Sequence, residues 1–261
     1  MIESLHSPHI ARVKALLGSR GKKERRDTNL FVAEGLQFLR EAIHPDSIPE
    51  ISTLYLTASG RQRCETEGLV IDNLDVVDVS DAVMNAMSET VTPQGILGLC
   101  KIPNRSSSEI SISDMTRIVY LFEIQDPGNA GTILRTADAT GFTECVASPN
   151  SVDFYSPKVV RASAGSLWHI PLYERVEYAD LIDRWPNKNI FALDAKGSVS
   201  LLDLQLDGPS LWIFGNEAQG LHSLPDHKEI TRVNIPMAGN AESLNLASAA
   251  AMVMFRVTSA T

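Results

Sequence analysis

Apolar positions change their period along the chain, and the changes outline alternating helices and strands. Ser7 before Pro8 has the form of a helix cap with proline at the first helical position, and Ile10, Val13 and Leu17 follow at near-helical spacing until Gly18. Leu36, Leu39 and Ile43 predict a second helix stopped by Pro45, and Leu54 and Leu56 alternate as in a strand. Strands are expected over 75–79 and 95–102, with a short helix over 81–87 between them. From Pro103 and Asn104 through Ser106, Ser107 and Ser108 the chain turns polar and breaker-rich with no apolar period, which reads as a linker. Beyond it, apolar runs at 118–122, 144–147, 189–193 and 211–214 are separated by helix-like stretches. That is the pattern of a mainly parallel sheet covered on both faces. The expected organisation is α/β: a domain over 1–103, a linker over 104–113 and a larger domain over 114–261.

Three of the strand ends carry polar groups and glycines that invite chemistry. Asp126 before Pro127 caps a helix that begins beside Asn129, just past the carboxyl end of the strand near Phe122, the edge at which open α/β sheets bind ligands. At 100° per residue Ile133, Leu134 and Ala137 share one sector, while Arg135 points away from it on the side of Gly131. The apolar run from Leu211 to Phe214 reads as a strand buried on both faces, and Gly215 at its end lets a ligand approach the backbone closely. Gly215 and Gly220 have the separation of a phosphate-binding loop, but Leu221 and His222 stand where lysine and serine or threonine are required, so that reading is rejected. Ile235-Pro236-Met237 ends a further strand, and Ser243 reads as the cap of a helix over 244–257. This helix is apolar nearly all round and rich in small residues, so it is expected to be enclosed by protein on several sides.

Taken together and in this order, Asn129 through Arg135, Gly215 through Leu221, and Ile235 through Asn245 resemble the signature of the SpoU-TrmH branch of the SPOUT methyltransferases, which methylate ribose 2'-hydroxyls in RNA. The resemblance is strong over 118–257 and loose before it. It implies a SPOUT α/β-knot fold, with a C-terminal trefoil knot, behind a smaller N-terminal α/β domain that binds the RNA substrate. It implies Arg135, Asn129, Glu217 and Asn245 as the catalytic group, and Gly215, Ile235, Met237, Ser243 and Leu244 as the pocket for S-adenosylmethionine. It also implies a homodimer with the donor pocket near the subunit interface. Ala218, where many relatives have glycine, is a mild departure. A guanidinium keeps its proton well above neutral pH, so Arg135 is read as gripping the RNA phosphate and stabilising the developing alkoxide rather than abstracting a proton. Ribosomal RNA is the expected substrate. Transfer RNA, or a non-catalytic RNA-binding protein of the same fold, are the alternatives, and a dinucleotide-dependent enzyme would need a Gly-x-Gly-x-x-Gly turn that is absent.

Charge changes this picture in one place. A net charge of -9 over 261 residues opposes nucleic-acid binding in general, yet between Arg12 and Arg26 seven basic residues face Glu24 alone. Lys22, Lys23, Arg25 and Arg26, in what reads as a loop around Gly18 and Gly21, are therefore expected to contact RNA, together with Arg135. Cys64, Cys100 and Cys145 form neither a CxxC pair nor a disulfide framework, which fits a reducing cytoplasm. No metal is expected, since His222 and His227 lack a ligand pattern, and Trp168, Trp185 and Trp212 read as packing residues. Neither a signal-peptide core nor a membrane-spanning run is apparent, so a cytoplasmic protein with no membrane partner is expected.

Overall fold

In the computed structural model, which describes residues 1–44, 47–185, 189–222, 224 and 229–259, the chain divides into two units. The first is Met1–Asn104 with Asp153–His169, and the second is Arg105–Val152 with Ile170–Thr261. The segment Asp153–His169, expected in the second domain, thus packs with the first.

The first unit contains α1 (Pro8–Leu17), α2 (Gly21–Thr28), β1 (Leu30–Glu34), α3 (Leu36–Ala42), β2 (Ile51–Leu56), α4 (Ala58–Thr66), β3 (Val76–Asp78), α5 (Asp81–Met87) and β4 (Ile96–Lys101). Ser7 caps α1 by accepting the His9 N–H at 3.3 Å. The strands lie in the order β1-β4-β2-β3, antiparallel except between β2 and β3. Ile10, Val13 and Leu16 of α1 and Val83, Met84 and Met87 of α5 bury a core against Val32, Tyr55, Leu97 and Leu99. The stop expected at Pro45 lies outside the described residues.

The basic run is a helix rather than a loop. Within α2 one cation turns inward: Arg25 is 6% exposed, pairs with Asp153 at 2.8 Å and donates to the Leu16 carbonyl. A side chain at Gly21 would strike both that carbonyl and the guanidinium, so glycine makes the inward turn feasible. Arg25 is therefore withdrawn from the expected RNA contacts, because a buried, paired guanidinium has no surface to offer. Lys22, Lys23 and Arg26 remain exposed.

The second unit runs β5 (Arg117–Leu121), α6 (Pro127–Ala139) and β6 (Glu144–Ala147), lends α7 (Pro157–Ser163) to the first unit, and returns through β7 (Leu172–Tyr173), α8 (Tyr178–Ile182), β8 (Ile190–Leu193), β9 (Val199–Ser200), β10 (Ser210–Phe214), β11 (Ile230–Asn234) and α9 (Leu246–Ser259). Its seven strands are all parallel, in the order β7-β6-β5-β10-β8-β11-β9. Ile118, Tyr120, Leu211, Ile213 and Ile190 form a core on one face with Leu181 and Ile182 of α8. Alternation leaves Val119, Leu121, Trp212 and Phe214, all buried, to the opposite face. The expected linker is seated rather than free: Ser107–Glu109 forms a capped turn, Ile110 enters the core, and Arg184 donates to the Ser107 carbonyl at 2.7 Å.

Helices α6 and α9 pack together. Ile133, Leu134 and Ala137 of α6 and Ala250, Val253 and Met254 of α9 are buried, as their spacing predicts. Helix α9 buries Ala247, Ala249, Ala250, Val253, Met254 and Val257, and leaves Met252 and Phe255 48% and 69% exposed. Among the described residues no helix is long and apolar enough to cross a membrane.

Candidate functional site

The carboxyl ends of β8, β10 and β11 surround a cavity of about 650 Å³, within the range of small-molecule sites. Its wall comprises Leu193 at the end of β8 with Asp194 and Ala195 beyond it, Asn216 and Glu217 after β10, Asn234 at the end of β11 with residues 235–237 and 241–246 beyond it, Ala249, and Asn129 from α6. Ile235, Met237, Ser243 and Leu244, all expected in a donor pocket, line it, as do Asn129, Glu217 and Asn245.

Three of these polar residues form a relay that fixes the wall. Asp126 caps α6 by accepting the Asn129 N–H at 2.7 Å. The Glu217 carboxylate accepts the backbone N–H groups of Gln125 and Asp126, each at 3.1 Å, and the Asn129 side-chain amide at 3.2 Å. A carboxylate at the positive end of a helix is well placed electrostatically. The Asn129 amide oxygen in turn accepts from Asn245 at 3.0 Å. On its other side, the Asn245 oxygen accepts the Ala247 and Ser248 N–H groups, at 2.9 and 3.2 Å. Asn245, not Ser243, is therefore the cap of α9, and the helix begins at Leu246. Only an amide can cap the helix with its oxygen and donate to Asn129 with its nitrogen at once.

At Gly215 the chain approaches itself closely: a Cβ at this position would collide with the Gly220 backbone and the Leu221 side chain. Asn216 and Gly220 exchange two backbone hydrogen bonds, at 2.9 and 2.8 Å, and the Asn216 side chain accepts from Ala218 and Gln219 while donating to the Glu123 carbonyl. Gly215 makes this tight turn possible, and the turn presents Glu217 to α6.

Arg135 is exposed and makes no hydrogen bond or ion pair among the described residues. It does not line the cavity. Six residues beyond Asn129, it sits about 9 Å further along α6 and about 120° round the axis. The helix that holds Asn129 at the wall therefore turns Arg135 away from the cavity of its own chain.

Asp194, Ala195, Leu193, Asn216 and Asn234 were not singled out from sequence, although the rule that ligands bind at carboxyl ends of parallel strands points to the positions after β8 and β11. Burial works to raise the Asp194 carboxyl, but the Lys196 N–H at 2.9 Å and the Arg232 guanidinium at 2.7 Å outweigh it and hold the group below its ordinary value. No group of three His, Cys, Asp or Glu residues suited to a metal occurs among the described residues. His227 lies outside them.

Residues 116–255 match the SpoU rRNA Methylase family. The chain belongs to that family. Residues 10–98 match the MRM3-like substrate binding domain, so both units of this SpoU family member have counterparts elsewhere. The chain is 28% identical to the 23S rRNA (guanosine(2553)-2'-O)-methyltransferase RlmP of Bacillus subtilis, over 90% of this chain and 91% of the relative. It is 27% identical to a 23S rRNA (uridine(2479)-2'-O)-methyltransferase of Streptomyces viridochromogenes, over 93% and 86%. Among solved structures, the AdoMet-bound rRNA methyltransferase from Sinorhizobium meliloti superposes with a TM-score of 0.85 at 29% identity, over 98% of this chain and 96% of that one.

Proposed function

We propose that the chain transfers a methyl group from S-adenosylmethionine to a ribose 2'-hydroxyl of ribosomal RNA. The observation that carries this reading is the relay from Glu217 through Asn129 to Asn245, which ties three distant motifs of a SpoU family member into the wall of one cavity. Leu193, Ile235, Met237, Leu244 and Leu246 give that wall an apolar side among polar amides, which suits a nucleoside. The Bacillus subtilis and Streptomyces viridochromogenes relatives are named as 23S rRNA 2'-O-methyltransferases, which favours the same class of substrate.

The donor supplies an electrophilic methyl group on a sulfonium. As the 2'-oxygen forms its bond to carbon, the sulfur–methyl bond breaks, and the hydroxyl proton passes to a phosphate or a water. Within this chain, Glu217, Asn129 and Asn245 hold the cavity in shape, Ile235, Met237, Ser243 and Leu244 seat the donor, and Gly215 maintains the turn behind them. Arg135 grips the phosphate beside the target ribose and stabilises the charge developing on oxygen. Because Arg135 faces away from its own cavity, a second copy of the chain is the natural source of this cation at each site. The exposed Met252 and Phe255 on α9, with Leu202 on a turn packed against that helix, offer an apolar face for such a homodimer. Lys22, Lys23 and Arg26 of the first unit bind RNA phosphates, and a ribosomal RNA substrate supports a cytoplasmic enzyme.

The test is to map 2'-O-methylation across ribosomal and transfer RNA from cells with and without the gene, alongside calorimetry of the purified protein with S-adenosylmethionine. The expected result is loss of a ribosomal site together with donor binding. Loss of a transfer-RNA site would redirect the substrate, and an absence of donor binding would sink the enzymatic reading.

A further inference from the structure

The cavity wall carries three carboxylates, Asp194, Glu217 and Glu242, and no lysine, arginine or histidine among the described residues. Two of the three are already engaged. Asp194 is held by the Lys196 N–H and the Arg232 guanidinium, and Glu217 accepts from two backbone N–H groups and from Asn129. Glu242 is exposed and has no hydrogen bond or ion pair among the described residues. It stands on the loop between Met237 and Ser243, both of which line the same cavity.

We infer that Glu242 makes this cavity distinguish the methyl donor from its demethylated product by charge. The inference rests on the reading of the cavity as the donor site. S-adenosylmethionine has a sulfonium, an ammonium and a carboxylate, hence one net positive charge, and S-adenosylhomocysteine has lost the sulfonium charge and is neutral overall. The two differ little in shape, so an apolar pocket with main-chain contacts cannot separate them strongly. An unpaired carboxylate can, because its attraction for the sulfonium has no counterpart in the product, while both ligands share the same ammonium and carboxylate. Each transfer therefore abolishes part of the binding energy and assists product release. The engaged carboxylates contribute less, since Arg232 opposes the field of Asp194 and the helix donors opposite Glu217 already meet its charge.

Calorimetry on the full-length protein with each ligand tests this. In Glu242→Gln, the dissociation constant for S-adenosylmethionine should rise by about three- to tenfold, the scale of one charge interaction near a protein surface. That for S-adenosylhomocysteine should change by less than about twofold. Added salt should erode the preference of the wild type for the charged ligand and leave the Gln variant little altered. Glu242→Asp should retain the preference. Equal weakening of both ligands would indicate a structural role for Glu242 and overturn the inference, as would no change in either. Failure of the wild type to bind either ligand would instead sink the donor-site reading, and this inference with it.

Discussion

The side-chain nitrogen of Asn245 donates to the side-chain oxygen of Asn129 at 3.0 Å, joining residues 116 apart in sequence. The same Asn245 caps α9, so the start of that helix and the start of α6 are held by one side chain. Substitution can separate the two duties. Asn245→Ser retains a capping oxygen, but its shorter side chain cannot cap α9 and also reach Asn129, so stability should be nearly preserved while donor affinity and turnover fall. Asn245→Ala loses both, and should additionally lower unfolding free energy by about 1 kcal/mol. Denaturant titration beside donor calorimetry checks this, and a Ser variant with unchanged donor affinity would remove the relay from the site.

Arg135 lies exposed on α6, outside the cavity of its own chain. Arg135→Lys should slow methyl transfer by about 10²-fold or more while leaving S-adenosylmethionine binding intact, because a point charge cannot reproduce the guanidinium fork. Mixing Arg135→Ala with Glu217→Ala chains should restore activity to about a quarter of wild type, if each site draws its arginine from a second copy. No recovery on mixing would return the arginine to its own subunit, and a fully active Lys variant would remove it from the chemistry.

Arg25 and its neighbours on α2 should part company on mutation. Arg25→Ala leaves the largely buried Asp153 carboxylate without its cation and should destabilise the first unit by about 3–5 kcal/mol. Replacing Lys22, Lys23 and Arg26 together with glutamine should spare folding and weaken RNA binding. The logarithmic salt slope should flatten by roughly 0.7–0.9 for each phosphate no longer neutralised. Titration of a ribosomal RNA fragment at several salt concentrations reads this directly, and an unchanged slope would make α2 an ordinary solvated face.

Glu144 links stability to pH. Burial pushes its carboxyl up to about 7, against the opposing pull of Arg105 and of a hydrogen bond with Tyr173, and its Oε2 is buried without a hydrogen-bond partner among the described residues. The folded chain therefore keeps a proton that the unfolded chain releases near 4.5. Stability should fall as pH rises from about 4.5 to about 7 and level off above, since the native state binds more protons in that window. Glu144→Gln removes this dependence, so it should exceed the wild type in stability at pH 8 and match it at pH 4. Equal gaps at the two pH values would show that the carboxyl does not titrate in that window.

Much of the second unit was legible from periodicity. The runs at 118–122, 144–147, 189–193 and 211–214 correspond to β5, β6, β8 and β10, because a strand buried on both faces must be apolar throughout. Strand β1 is missing from the expected elements although Leu30, Phe31, Val32 and Ala33 form such a run, because the charged residues just before it have the composition of a loop. Helix α2, with six charged residues in eight, has almost no apolar stripe to betray it, and its place is set by the α1 helix and the β1 strand against which it packs.

What the sequence alone determined is local in origin: the strand runs, the caps at Ser7 and Asp126, the buried stripe of α6, and the motif residues that mark a SpoU family member. These follow from side-chain period and backbone preference within a few neighbouring positions. Only the tertiary structure decided that Arg25 turns inward to Asp153, 128 residues away, that Asn245 meets Asn129 across 116 residues, and that one cavity draws its wall from the ends of β8, β10 and β11 together. Each of those outcomes depends on groups distant in sequence brought close by folding, which the spacing of nearby residues does not encode.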